Sequence, residues 1–190
     1  MHPNQQSAYL GLTYNSEKLQ QFVQGAKNSK ANCSNYSDAE LEQAVKVAAI
    51  FDNNAFVIHR SISRSHSKVE EGVFIQLTRI NHSCRPNTAH HWDEQAQEAM
   101  IYASVDIRAD EELTISFVDL LQGRDKRQQR LQQRYGFACT CVACDLSTDF
   151  GVKSMQERAK MERLDDLRLA PGAIKSLVSV EYYTKLLALV

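Results

Sequence analysis

A chain of 190 residues suits one domain, or one domain with part of a second, and can bury a sizeable core. Twenty-two basic residues against 23 acidic ones leave a formal charge of −1, so no overall field draws the chain to nucleic acid or to an acidic membrane surface. No apolar run approaches the roughly eighteen residues of a membrane span, and residues 1–6 lack the basic and apolar regions of a secretory signal; an intracellular, reducing compartment, cytoplasm or nucleus, is the expectation.

Residues 1–12 carry little periodic signal. Ser16 is the candidate N-cap of a helix that places Leu19, Phe22, Val23 and Ala26 on one face and ends near Asn28. Residues 30–36 read as a loop, with Cys33 a lone thiol in a polar turn. Ser37-Asp38-Ala39-Glu40 has the Ser-x-x-Glu pattern of a capping box. The helix it opens would bury Leu41, Ala44, Val45, Ala48 and Ala49, and Asp52-Asn53-Asn54 would break it. Residues 55–58 form a short apolar strand, residues 61–68 an exposed loop, and residues 72–75 an apolar run.

Alternation then predicts two strands over residues 88–92 and 99–103, joined by an acidic turn. His90 and His91 are neighbours on the first of them, point to opposite faces and so do not easily share an ion. Residues 106–119 form a polar turn feeding a β-prone strand. Residues 122–135 are helical, with a sparse seam of Leu121, Leu131 and Tyr135 and a stop at Gly136. The basic residues of that helix, Arg124, Lys126, Arg127, Arg130 and Arg134, read as a solvated face because no aromatic residues interleave them for nucleic-acid stacking. From Val152 the pattern is helical again, with a boundary near Thr148, a break at Pro171-Gly172 and a strongly apolar stretch over 174–190.

Five cysteines is an odd number, and Cys139, Cys141 and Cys144 fall within six residues. In a reducing compartment that crowding favours metal over disulfides. Structural zinc takes four thiolate or imidazole ligands in a tetrahedron. Cys84 is chemically the best fourth ligand, with His82 and Cys33 as alternatives, and four filled corners make the ion structural.

Three segments in order carry a family resemblance: Asn81-His82-Ser83-Cys84-Arg85-Pro86-Asn87, Glu111-Glu112-Leu113-Thr114-Ile115-Ser116, and Cys139-Thr140-Cys141-Val142-Ala143-Cys144. Together they resemble the SET domain of protein lysine methyltransferases, most closely its SET-and-MYND subfamily, over roughly residues 40–145. The resemblance implies an α+β fold: SET β-sheets of short strands with an inserted helical segment, a post-SET zinc site and the start of a helical C-terminal region. Its divisions would be residues 1–36, a helical segment before or within the SET domain; 37–121, the C-terminal portion of that domain; 122–146, the zinc-binding segment; and 147–190, the partial helical region.

The same resemblance implies that Cys84 joins the three tail cysteines on zinc. It also implies methyl transfer from S-adenosylmethionine to a lysine of a protein, histone or non-histone, with no membrane and no direct nucleic-acid partner. Asn81 and His82 would bind the amino-acid and adenosine portions of the donor, and Asn54, in Asn54-Ala55-Phe56, would assist. Tyr135 and Phe137 would line the lysine channel and the adenine face. Phe117 stands where the family pattern has a tyrosine, keeping the aromatic wall without the hydroxyl. No glycine-containing strand pair precedes Glu17 and no MYND finger is present, so the expectation is a chain truncated at both ends with weak or incomplete activity. A catalytically inactive, zinc-stabilised interaction module is the alternative.

Overall fold

The computed structural model describes residues 3–28, 36–62 and 67–169. Cys33, the Pro171-Gly172 break and the stretch over 174–190 lie outside the described residues. Among the described residues, three helices come first: α1 (Pro3–Leu10), α2 (Ser16–Asn28) and α3 (Asp38–Asn54). Six strands of the described residues follow, β1 (Ala55–Ile62), β2 (Ser67–Val73), β3 (Asn81–His82), β4 (Thr88–Asp93), β5 (Glu98–Ala103) and β6 (Thr114–Ile115), and then α4 (Arg124–Tyr135) and α5 (Asp149–Leu169).

The weak periodicity of residues 1–12 hides α1, which starts at Pro3, a residue pre-set for the first helical position. It is held from outside: the Tyr9 hydroxyl donates to the Val47 carbonyl of α3 at 2.8 Å. The α2 cap is Asn15 rather than Ser16. Its Oδ1 accepts from the Glu17 and Lys18 amides at 3.1 and 3.2 Å, and asparagine caps about as well as serine.

The capping box of α3 forms as its pattern predicts, with the Glu40 amide on Ser37 Oγ and the Ser37 amide on Glu40 Oε2. The helix buries Ala49, Ile50 and Asn54, whereas Ala44 and Ala48 are exposed. It does not break at Asp52 but runs to Asn54, whose amide group donates to Ile50 O and Thr13 O, both at 2.8 Å.

Strands β1 and β2 pair antiparallel from Ala55↔Val73 to Ile62↔Ser67, with a bulge between Val57 and His59. Both ends of the polar stretch expected as a loop, residues 61–62 and 67–68, therefore belong to a ribbon, in which backbone pairing needs no apolar side chains, and residues 63–66 lie outside the described residues. The β4–β5 ribbon follows its predicted boundaries closely: Asp93 Oδ1 accepts from Gln95 and Ala96 amides, and Gln97 takes a φ of +54° to close the turn. Phe74 packs against Phe56 at 6.2 Å and Trp92 at 5.6 Å between ring centroids, joining the two ribbons.

Strand β3 runs parallel to β6, with Asn81 opposite Thr114 and His82 opposite Ile115, and the Ser83 amide extends the pairing to Ile115 O at 3.0 Å. The β-prone stretch yields only these two strand residues because Asn87 takes over where a longer ladder would continue. Its Oδ1 accepts from the Thr114 amide at 2.8 Å, and its Nδ2 donates to Glu112 O at 2.9 Å and Glu111 Oε1 at 3.1 Å.

Helix α4 ends at Gly136, whose φ of +80° lets its amide reach Leu131 O and Gln132 O. Asn15 Nδ2 donates to the last carbonyls of α4, Gln132 and Gln133, so one side chain caps α2 and ties it to α4. The basic face of α4 is not simply solvated. Arg124, Arg127, Gln128, Leu131 and Tyr135 recur at helical spacing on one side, and Arg127 and Leu131 are fully buried. That side packs on a core of Cys84, Val118, Leu131, Cys139, Ala143 and Cys144, flanked by half-buried Phe117, Tyr135 and Phe137.

Candidate functional site

The turn at the start of the tail is closed by the Cys144 and Asp145 amides on Cys141 O, at 2.8 and 3.0 Å. Helix α4 fixes the ends of the tail. Gln128 grips the Cys139 backbone, accepting from its amide at 2.9 Å and donating to its carbonyl at 2.7 Å, while Arg124 Nε donates to Cys144 O at 3.0 Å. From the other side, the Cys84 amide points at Cys141 Sγ at 3.3 Å.

The four sulfurs of Cys84, Cys139, Cys141 and Cys144 lie within 4.8 Å of one another, and the Cys84 and Cys144 sulfurs are 3.6 Å apart. Zinc–sulfur bonds of about 2.3 Å in a tetrahedron put sulfurs about 3.8 Å apart, so the cluster fits a zinc ion. As free thiols, Cys84, Cys139 and Cys141 are pushed in opposite directions. Burial pushes Cys139 up to about 11, and hydrogen bonds with Cys141 and Cys144 push Cys84 up. The same crowding holds Cys141 far below its ordinary value, through bonds from Cys144 and Cys84. A bound cation removes this conflict because it favours every thiolate at once.

His82 is a neighbour of this cluster rather than a member of the four. Its Nδ1 accepts from the Phe117 amide at 3.1 Å, which leaves the ring proton on Nε2, 3.3 Å from Cys84 Sγ. Burial lowers its pKa to about 4, keeping the ring neutral. It thus links the cluster to Phe117 by a hydrogen bond and a ring contact of 5.3 Å.

Beyond Phe117 opens a cavity of about 400 Å³. Asn54, Asn81, Phe117, Tyr135 and Phe137 all line it; the His82 side chain does not. Tyr135 lies 5.0 Å from the Phe117 ring and 6.4 Å from the Phe137 ring, and its hydroxyl donates to Phe117 O at 3.4 Å. Burial raises the Tyr135 pKa above its ordinary 10.0, so the phenol stays protonated. Asn54 spends its amide hydrogens on backbone and can offer the cavity only its carbonyl oxygen. The Asn81 amide donates to Glu112 at 2.6 Å.

Sequence reasoning missed Glu71 and Arg134, which bring one charge of each sign to the lining. It also missed Arg127 and Gln128 beside the thiols. The available signal for those two was their spacing of four and three residues from Leu131, the one strongly apolar position inside α4.

The SET-domain family profile matches residues 9–118, more than half of the chain, and the chain belongs to the SET-domain family. Among curated relatives, it is 34% identical over 97 residues to histone-lysine N-methyltransferase set5 of Schizosaccharomyces pombe, covering 51% of this chain and 27% of that protein. It is 27% identical over 144 residues to histone-lysine N-methyltransferase SMYD3 of Mus musculus, covering 72% and 33% of the two. Similarity to the SET domain-containing protein SmydA-8, isoform A, of Drosophila melanogaster reaches 30% over 111 residues, or 58% and 24%. The chain spans about a quarter to a third of the length of these relatives. No helix among the described residues is long and apolar enough to cross a membrane.

Proposed function

We propose that this chain carries the methyl-transfer site of a SET-and-MYND-type protein-lysine N-methyltransferase, acting on a histone or non-histone protein of the cytoplasm or nucleus. The observation that carries the reading is that one thiol cluster brings Phe117, Tyr135 and Phe137 against Asn54 and Asn81 around a single cavity. Cys84, Cys139, Cys141 and Cys144 would hold zinc as a structural ion.

The cavity suits S-adenosylmethionine chemically. Glu71, Arg134 and the Asn54 and Asn81 side chains complement a zwitterionic amino-acid group, while the three aromatic rings offer faces to a purine and to a cation. When bound, the donor supplies an electrophilic methyl group. The chain's own residues have three tasks: to hold donor and amine in line, to exclude water, and to keep the amine neutral. Aromatic walls desolvate a lysine ammonium and so lower its pKa, which frees the lone pair for attack. The Phe117 carbonyl, already held by Tyr135, fixes the two rings relative to each other.

A second reading rests on Phe117 itself, which has no hydroxyl to orient the amine: a zinc-stabilised interaction module without turnover. Calorimetry with S-adenosylmethionine on the zinc-loaded chain, followed by methylation assays of the chain and of Phe117→Tyr, separates the readings. Binding with slow turnover that rises in Phe117→Tyr is expected. Absence of donor binding would overturn the enzyme reading, and binding without turnover in either form would favour the module.

A further inference from the structure

Two guanidinium groups are buried beside the thiols, and no carboxylate among the described residues pairs with either. Arg127 is 0% exposed and Arg158, from α5, is 7% exposed, and they are the only charged residues in the core among the described residues. Arg127 Nε donates to Cys84 Sγ at 3.2 Å, its Nη2 lies 3.9 Å from Cys144 Sγ, and its Nη1 donates to Gln122 O. Arg158 Nη2 donates to Cys84 O at 2.7 Å, Nε to Ser154 Oγ at 3.2 Å and Nη1 to Leu120 O. Among the described residues, every partner of either arginine is thus a sulfur, a hydroxyl or a backbone carbonyl.

An unpaired buried cation is strongly unfavourable, so negative charge has to stand nearby. Among the described residues the thiol cluster is the one group in contact that can supply it. Four thiolates around a divalent ion leave two negative charges, and the two guanidinium groups carry two positive ones.

We propose that Arg127 and Arg158 are the counter-charges of the metal centre, with Arg127 also a positioning residue whose N–H group damps the reactivity of the Cys84 sulfur. This rests on the zinc reading above. The pairing explains why a helix so rich in arginine packs one of them into the core, and why α5 docks where it does: it delivers the second charge to the carbonyl of a ligand residue. A hydrogen bond to a metal-bound sulfur also draws electron density from its lone pairs, making it a poorer nucleophile toward alkylating agents.

The experiment uses the full chain, titrated with zinc against a chromophoric chelator. Arg127→Met is expected to lose about 10–100-fold in zinc affinity, the range for an outer-shell partner of a metal ligand, and Arg127→Lys to recover much of it. In the zinc-loaded Arg127→Met protein, iodoacetamide labels Cys84 faster than in the parent, read by peptide mass spectrometry. A purely structural loss would not give recovery by lysine together with selective labelling of Cys84. Arg127→Met binding zinc as tightly as the parent, or Arg127→Lys falling equally far, would overturn the proposal. If Arg127→Met does not fold, Arg158→Met carries the test: about a tenfold loss is expected, and unchanged affinity counts against the proposal. Should the parent chain itself take up no zinc in this competition, the zinc reading falls, and the counter-charge proposal falls with it.

Discussion

Asn87 closes the motif loop onto the strand that follows it in space, and four hydrogen bonds of its amide group reach residues 24 to 27 positions away. Alanine there leaves the Thr114 amide and Glu112 carbonyl without partners in a half-buried place. Asn87→Ala is expected to cost about 1–3 kcal/mol in denaturant unfolding with an unchanged slope. Residue by residue, legibility in the sequence tracks locality. The tail cysteines announce themselves because metal spacing is a local pattern, and Gly136 because a left-handed stop is. Asn87 and Arg127 stay silent: the partners that define them lie more than twenty residues away in the sequence.

Helices are legible at their ends and opaque along their faces. The Ser37 capping box needs only four consecutive residues, whereas the inward face of α4 depends on which segment packs there, and a guanidinium facing sulfurs inverts the usual polar-out rule. Ribbons β1–β2 and β3–β6 differ from expectation for a related reason, since strand length is set by partners. The loop before β6 is held by Glu111, which accepts from the Arg108 amide at 3.2 Å and from Asn87. Those bonds hold its carboxyl below the ordinary 4.5, so the stabilisation is present above that value and is lost as pH falls through the folded one. Glu111→Gln should therefore flatten the acid limb of the melting temperature relative to the parent. Parallel limbs would show that these bonds contribute nothing.

Across the molecule, the thiol cluster joins Cys84 to residues 55 to 60 positions later and stands at the centre of the principal core. A metal ion bound there would contribute folding energy. A strong chelator is expected to lower the melting temperature by several degrees, Cys84→Ser to do the same, and the chelator to add little to that variant because both remove one site. Full additivity would place the stabilising ion elsewhere. The α+β class and the meeting of the three motifs were readable through the family resemblance that the motifs carry together. The cavity composition was only half readable, since Glu71 and Arg134 arrive from elements with no motif.

The spacing of the thiols also sets an order of events at the ribosome. Cys84 is synthesised 60 residues ahead of Cys144, which at about 5–20 residues per second is an interval of about 3–12 s. During it the nascent chain, already carrying Asn54 and Asn81, gains Phe117, Tyr135 and Phe137 in turn, but the four-thiol cluster that would draw these rings together is incomplete until Cys144. On the zinc reading proposed above, closure of the cavity waits for the last cysteine to emerge and for an ion to be captured, and cellular zinc supply would then be a condition of maturation as well as of endurance.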